Sequence, residues 1–169
     1  MQKVTRVLAF IDGLSSWSGK LVSMLIFPMI AILMYEVVSR YGFNSPTLWA
    51  HEITRYIYGA HFMLGGAYTL YLGAHVNVDI FYSRFSPRVR ATVDVVTYLL
   101  FFLFGAVLLW YGSIITWRSI ILWETSATPL HAPFAPLKAI VPVAAFLILL
   151  QGITRYIRNI FTITGRETL

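Results

Sequence analysis

The chain of 169 residues contains no cysteine, which excludes a disulfide framework, thiolate chemistry and cysteine-ligated metals. Charge is also scarce, because only 12% of the residues are Asp, Glu, Lys or Arg, whereas a soluble domain averages about 25%. A polypeptide with so few charges is poorly suited to water on all sides. The composition therefore predicts that lipid, rather than water, is the main solvent of this protein.

Apolar and aromatic residues take the place of the missing charge. Hydrophobic residues make up 58% of the chain and aromatic residues 16%, and the mean hydropathy is +0.72. The net charge of +6 would suit a nucleic-acid ligand, but the basic residues lie at the ends of apolar stretches and form no basic run with interleaved aromatics. We therefore expect a membrane topology and no nucleic-acid partner.

Four apolar stretches come close to the roughly 20 residues that a membrane-spanning helix requires. They cover about residues 21–39, 53–72, 92–115 and 137–152 of a single membrane domain, 1–169. Of the thirteen Lys and Arg residues, most precede the first stretch, separate the second from the third or follow the fourth. Because positive charge is retained on the cytoplasmic side, the sequence predicts an all-α integral membrane protein with four spans and both termini inside.

Two helices are predicted outside the spans. Val7, Leu8 and Ile11 follow helical spacing, with Asp12 elsewhere on the wheel, which indicates a short amphipathic helix on the cytoplasmic face; a basic tail without regular structure is the open alternative. On the outer face, Ser45 is placed to cap a helix near residues 45–52 whose first residue is Pro46. Trp49 would then lie at the membrane interface.

Four charges surround the outer ends of the first two predicted spans. Glu36 and Arg40 are four residues apart, and Glu52 and Arg55 are three apart, so each pair shares a face of a helix. We interpret them as one polar cluster that fixes the two spans against each other. The alternative is that Glu36 handles a proton or cation, since ionisable residues within a membrane are costly and often functional.

His61 is the ionisable side chain buried most deeply in the second predicted span. A haem ligand would need a second histidine at similar depth on another helix, and the other three histidines lie outside the spans. A hydrogen bond between helices is therefore expected, with no cofactor and no metal. No catalytic triad or phosphate-binding loop is visible, so the sequence does not predict an enzyme.

Several segments together resemble the small membrane subunit of tripartite ATP-independent periplasmic (TRAP) transporters, the DctQ-like family. A span ends in "VVSRY", "NSPTLWAHEITRY" follows, and "LGAHVNVD" forms a Gly-Ala-His-Val turn before a basic loop. Later, "ETSATPLHAPFAPLKAIVPVAAFLILLQGI" resembles the proline-rich entry to the family's fourth helix. The resemblance extends over about residues 20 to 160.

The resemblance implies four membrane helices in the bacterial inner membrane, with both termini in the cytoplasm. Such a subunit pairs with a large membrane subunit that carries the substrate and sodium sites, and a soluble periplasmic binding protein delivers an organic acid. The small subunit would act as a brace. The resemblance implies a structural or interface role for nine residues of this chain: Glu36, Arg40, Ser45, Pro46, Trp49, Glu52, Arg55, Gly73 and His75.

Two other functions fit parts of the sequence. One is a stand-alone four-helix exporter that uses Glu36 as its coupling carboxylate, and the other is a membrane anchor for a redox enzyme. The closeness of Arg40 to Glu36 argues against the first, and the number of histidines argues against the second. The aromatic face of the third span, which includes Phe101, Phe104 and Tyr111, is expected to face lipid.

Overall fold

The apolar stretches fold as helices, as their composition predicts. The computed structural model describes residues 2–74 and 87–164, and within these ranges it contains helices and no β-strand. The five α-helices are α1 Gln2–Ser23, α2 Ile26–Val37, α3 Ala50–Leu72, α4 Pro87–Ile121 and α5 Phe134–Ile163. A π-helical turn, Val38–Gly42, continues α2. His75, one of the predicted interface residues, lies outside the described residues.

Among the described residues, three helical segments are long and apolar enough to cross a membrane: Thr5–Gly42, Thr92–Ile121 and Phe134–Ile163. They include the first, third and fourth predicted spans. Helix α3 has 23 residues and is therefore about 34 Å long, enough for a hydrocarbon core of about 30 Å. Its polar residues, among them Glu52, Arg55 and His61, make it less apolar than the other three. The crossing by α3 and the orientation of the chain stay predictions.

Helices α1 and α2 belong to one apolar segment that is interrupted at Met24 and Leu25. Pro28 explains the interruption, since it has no N–H to donate to the carbonyl of Met24 and its ring crowds that carbonyl. The Phe27 N–H is displaced to the Met24 oxygen instead, at 3.3 Å. The predicted N-terminal helix is longer than expected, because α1 has 22 residues and runs up to this break. Its location on the cytoplasmic face stays a prediction.

One face of α1 is buried against α3 and α5. It carries residues at intervals of three and four positions, namely Leu8, Ile11, Ser15, Gly19 and Val22. At Gly19 the helices are so close that an added Cβ would lie 2.2 Å from Cγ of Tyr68. Small residues allow this kind of approach between membrane helices. Helix α1 is therefore packed into the bundle along most of its length.

Helices α4 and α5 form the most extensive helix pair. Three glycines each meet a bulky residue of the other helix: Gly105 meets Leu149, Gly112 meets Pro142, and Gly152 meets Phe101. Because residue numbers rise along one helix as they fall along the other, the two helices are antiparallel. The Phe101 ring contacts Tyr98 and Phe102 of the same helix, and both of these contact Tyr156 of α5. The edge-to-face contacts with Tyr156 stabilise the pair.

The predicted outer-face helix near residues 45–52 is absent, since residues 43–49 are irregular and α3 begins at Ala50. Ser45 caps no helix, and its N–H donates to the carbonyl of Ser39 at 2.9 Å. The N–H of Thr47, which would lie in the first turn of a helix starting at Pro46, donates to Glu36 at 3.1 Å. This bond to a carboxylate holds the connection in its irregular form.

Helix α3 ends at Gly73, as the sequence predicted. The Ala74 N–H bonds to the Thr69 carbonyl and the Gly73 N–H to the Leu70 carbonyl, which is the Schellman arrangement. Gly73 has a φ of +75°, a conformation that glycine adopts without strain. The guanidinium of Arg155 donates to the Tyr71 carbonyl at 3.1 Å, so a cation lies at the negative end of the α3 dipole.

We expect Gly73→Ala to destabilise the protein by about 1–2 kcal/mol, because a Cβ disfavours the left-handed conformation. The new Cβ would also lie 2.8 Å from Nη2 of Arg155, although that flexible side chain can move. Thermal unfolding of the purified protein, followed by circular dichroism, measures the effect. Gly13→Ala is the control, since its Cβ would meet nothing within 4 Å. Equal unfolding temperatures for the two variants would contradict the assignment.

Candidate functional site

Glu36, in the last turn of α2, ties this helix to the connection that leads to α3. Arg40 donates from Nε and Nη2 to Oε1 of Glu36, at 2.9 and 2.5 Å. Thr47 donates its N–H and its hydroxyl to Oε2. The Glu36 side chain is 12% exposed and that of Arg40 is 50% exposed. Both carboxylate oxygens of Glu36 are therefore occupied by groups of the same chain.

Glu52 makes a separate contact with the connection between α4 and α5. It is only 3% exposed, and its Oε2 accepts a hydrogen bond of 2.5 Å from the Thr128 hydroxyl. Its Oε1 has no hydrogen-bond partner in the described part of the chain. Arg55 is exposed and forms no ion pair with Glu52 among the described residues. The expectation of one cluster of four charges was therefore wrong.

The connection between α4 and α5 folds back on itself, and sequence reasoning missed the hydroxyl groups it brings to Glu52. The Ser126 N–H donates to the Ala132 carbonyl at 2.9 Å, and the Ser126 and Thr128 hydroxyls are 2.9 Å apart. The hydroxyl of Tyr56 in α3 donates to the Pro133 carbonyl. The sequence signal for this contact is the group of hydroxyl residues in Thr125–Thr128, which lies within the stretch that resembles the proline-rich entry to the fourth helix.

An ion pair between Glu124 and Lys138 joins the start of this connection to the first turns of α5. The two side chains are 34% and 31% exposed. The hydrogen bond from Lys138 lowers the pKa of Glu124 below its ordinary value. The Glu36, Glu52 and Glu124 contacts all lie at one end of the helix bundle.

At the opposite end, Asp12 joins α1 to α5. Oδ2 of Asp12 pairs with Arg158 at 2.5 Å, and Oδ1 accepts a 2.9 Å hydrogen bond from the Gln151 amide. Ser15 donates to Oε1 of Gln151 at 2.7 Å, and neither Ser15 nor Gln151 is exposed to solvent by more than 1%. The sequence placed Asp12 off the apolar face of the N-terminal helix, and the structure shows that its side chain bonds to α5.

His61 bonds to the last turn of α1, next to the break between α1 and α2. Its Nδ1 lies 3.0 Å from the carbonyl oxygen of Val22, and because a carbonyl can only accept, Nδ1 carries the hydrogen. The prediction of a hydrogen bond between helices is confirmed. No group of three or more potential metal ligands occurs within residues 2–74 and 87–164.

Trp49 packs where the irregular connection meets α2. Its indole stacks on the Tyr35 ring, with 5.8 Å between the ring centres, immediately beside Glu36. The structure thus brings Glu36, Arg40 and Trp49 together and places Glu52 in a second contact. Arg55 and Gly73 belong to neither of these contacts.

These features define a class of protein: a bundle of apolar helices whose polar side chains mainly bond to other parts of the same bundle. The sequence pattern of the DctQ component of tripartite ATP-independent periplasmic transporters matches residues 29–162, which is most of the chain. The chain therefore belongs to this family, as its sequence motifs predicted. It is a membrane protein and a transporter component, not an enzyme.

A relative of known annotation supports the family assignment. Over 65 residues the chain is 28% identical to the sialic acid TRAP transporter small permease protein SiaQ of Vibrio cholerae serotype O1. The similar region takes in 38% of this chain and 38% of that protein. The chain thus matches well under half the length of this relative.

We expect Asp12→Ala to destabilise the bundle by about 1–3 kcal/mol, because it leaves the buried Gln151 amide without its acceptor. Thermal unfolding in detergent measures the loss. Glu124→Ala is the matched control, since it also removes one partner of an ion pair, but the pair is one-third exposed and therefore contributes less. An equal or larger loss in the control would show that burial of the Asp12 contact is unimportant.

The Glu124 pair should also depend on pH. A carboxyl group whose pKa is lowered by folding stabilises the protein above its unfolded pKa, and this contribution is lost as the pH falls through the folded pKa. We expect the stability difference between the native protein and Glu124→Gln to be constant near neutral pH. It should shrink below pH 4.5, the ordinary pKa of the group. Unfolding temperatures across a pH series test this, and a difference that grows on acidification would contradict it.

Proposed function

We propose that this chain is the small membrane subunit that braces a large membrane subunit in a TRAP transporter for sodium-coupled uptake of an organic acid. The large subunit would carry the substrate and sodium sites, and a soluble periplasmic binding protein would deliver the acid. The observation that carries the proposal is the way the chain uses its polar groups. The described polar contacts join its own helices and connections, which suits a rigid support.

Glu36 is the residue whose contacts best distinguish a supporting subunit from a stand-alone exporter. A coupling carboxylate has to bind and release a proton or a cation during each cycle. Arg40 and Thr47 occupy both oxygens of Glu36, so neither is free for a transported ion. This argues against the stand-alone exporter, and the family membership argues against the redox anchor.

We further propose four crossings of the bacterial inner membrane with both termini in the cytoplasm. Asp12 and Arg158 meet at one end of the bundle, so the beginning of α1 and the end of α5 lie on the same side, as an even number of crossings requires. Most of the basic residues belong to that side, which supports a cytoplasmic location. The α1–α2 segment, α3, α4 and α5 would supply one crossing each.

The proposed cargo is an organic acid whose identity is set by the other two components. The name of the Vibrio cholerae relative includes sialic acid, which is an organic acid. No described residue of this chain suggests which acid is carried, because the polar contacts named above are used within the bundle.

Reconstitution into liposomes tests the proposal. We expect uptake to require this chain, the large subunit, the binding protein and a sodium gradient together. Glu36→Gln should retain most of the uptake, because the amide keeps one acceptor for Arg40 or Thr47 and no coupling step is lost. Glu124→Gln serves as a control for the same chemical change at an exposed pair. Uptake by this chain alone, or complete loss in Glu36→Gln despite normal assembly, would contradict the proposal.

A further inference from the structure

A groove with a volume of about 580 Å3 runs between α1 and α3. Along α3 its lining extends from His61 to Ala74, a distance of roughly 20 Å at the rise of a helix. Phe62 at its rim is 64% exposed, so the groove opens towards the surroundings of the bundle. The space is therefore long enough to take a segment of a neighbouring helix.

The floor of the groove is shaped by glycine. At Gly65 an added Cβ would meet no atom within 4 Å, whereas at Gly66 it would lie 2.9 Å from Cδ1 of Ile148. Gly66 is thus explained by packing inside the chain, and Gly65 is not. Glycine within a helix costs about 0.5–1 kcal/mol relative to alanine, and in membrane helices it allows another backbone to approach closely.

His61 offers a hydrogen-bond acceptor in the groove, which a protein helix can use and a lipid acyl chain cannot. It is the central residue of α3 and lines the groove. Because Nδ1 carries the hydrogen that bonds to Val22, Nε2 of the neutral ring is an acceptor, and no described residue donates to it. A polar atom without a partner is costly in an apolar medium. An acyl chain has no hydrogen to donate, whereas a hydroxyl or amide on a helix does.

We propose that the groove between α1 and α3 receives a transmembrane helix of the large membrane subunit, which packs against Gly65 and donates a hydrogen bond to Nε2 of His61. This inference rests on the proposed function, in which the large subunit is the partner. It assigns the contact to the α1–α3 side of the bundle and leaves the exposed outer face of α4 to lipid. The partner helix should carry a small residue and a hydrogen-bond donor on one face.

Gly65→Leu tests the proposal, because a Cβ at this position meets no atom of the chain within 4 Å, so the new side chain starts from open space at the groove. We expect the isolated variant to unfold at or above the native temperature, since leucine favours helix more than glycine does. When it is co-expressed with a tagged large subunit, its recovery with that subunit should fall about tenfold, which corresponds to 1.4 kcal/mol. Gly13→Leu is the matched control, because Gly13 in α1 also has open space but lies outside the groove; its recovery should not change.

The possible failures are distinguishable. If the native chain does not purify with the large subunit, the proposed function is wrong. If it does, and Gly65→Leu is recovered equally well, the groove is not the contact and this inference is wrong. Displacement of a phospholipid by Gly65→Leu in native mass spectrometry, with the complex intact, would likewise overturn it in favour of lipid.

Cross-linking provides a second measurement that does not depend on the stability of a bulky variant. Because the chain has no cysteine, single cysteines with a photoactivated cross-linker report on one position at a time. Met63→Cys at the groove should link to the large subunit, whereas Leu100→Cys on α4, where the native residue is 70% exposed, should not. The reverse pattern would place the large subunit on α4 and contradict the inference.

Discussion

A polar group within a lipid bilayer has no water to bond to, so it has to find its partner inside the protein. This constraint explains how the few charges of the chain are arranged. At one end of the bundle Asp12 bonds to Gln151 and Arg158, and at the other end Glu36 and Glu52 bond to the irregular connections. The helices are therefore fastened at both ends, while apolar packing and glycine contacts hold them along their length.

The positions of the helices could be predicted because apolar length is a property of the local sequence. The partner in a contact could be predicted only where the two residues are close in sequence, as Glu36 and Arg40 are. Asp12 and Gln151 are separated by 139 residues, and no local pattern connects them. Glu52 shows the same limitation, since its partner Thr128 is 76 residues away. The spacing instead suggested a pairing with the nearby Arg55, which is not observed among the described residues.

The third predicted span shows why the side facing lipid is hard to recognise from sequence. Phe104 and Tyr111 are 66% and 61% exposed, as expected for a lipid-facing surface, but Phe101 packs on Gly152. In a membrane helix both surfaces are apolar, so hydrophobic periodicity cannot separate them. The residue that decides the position of Phe101 is Gly152 in α5, because a glycine there leaves room for the phenylalanine ring.

The two halves of the first apolar segment are held very differently. Helix α1 is buried against α3 and α5 and carries the Asp12 contact, whereas α2 has no buried residue and is fastened mainly at its end, through Glu36 and the stacking of Tyr35 on Trp49. The break at Met24 and Leu25, which Pro28 explains, separates the two halves. His61 bonds to the last turn of α1 just before this break. In the proposed function, a support that keeps its shape while its partner moves needs well-packed helices where the partner binds. Helix α1 packs against α3 and α5, and the groove lies on this side of the bundle.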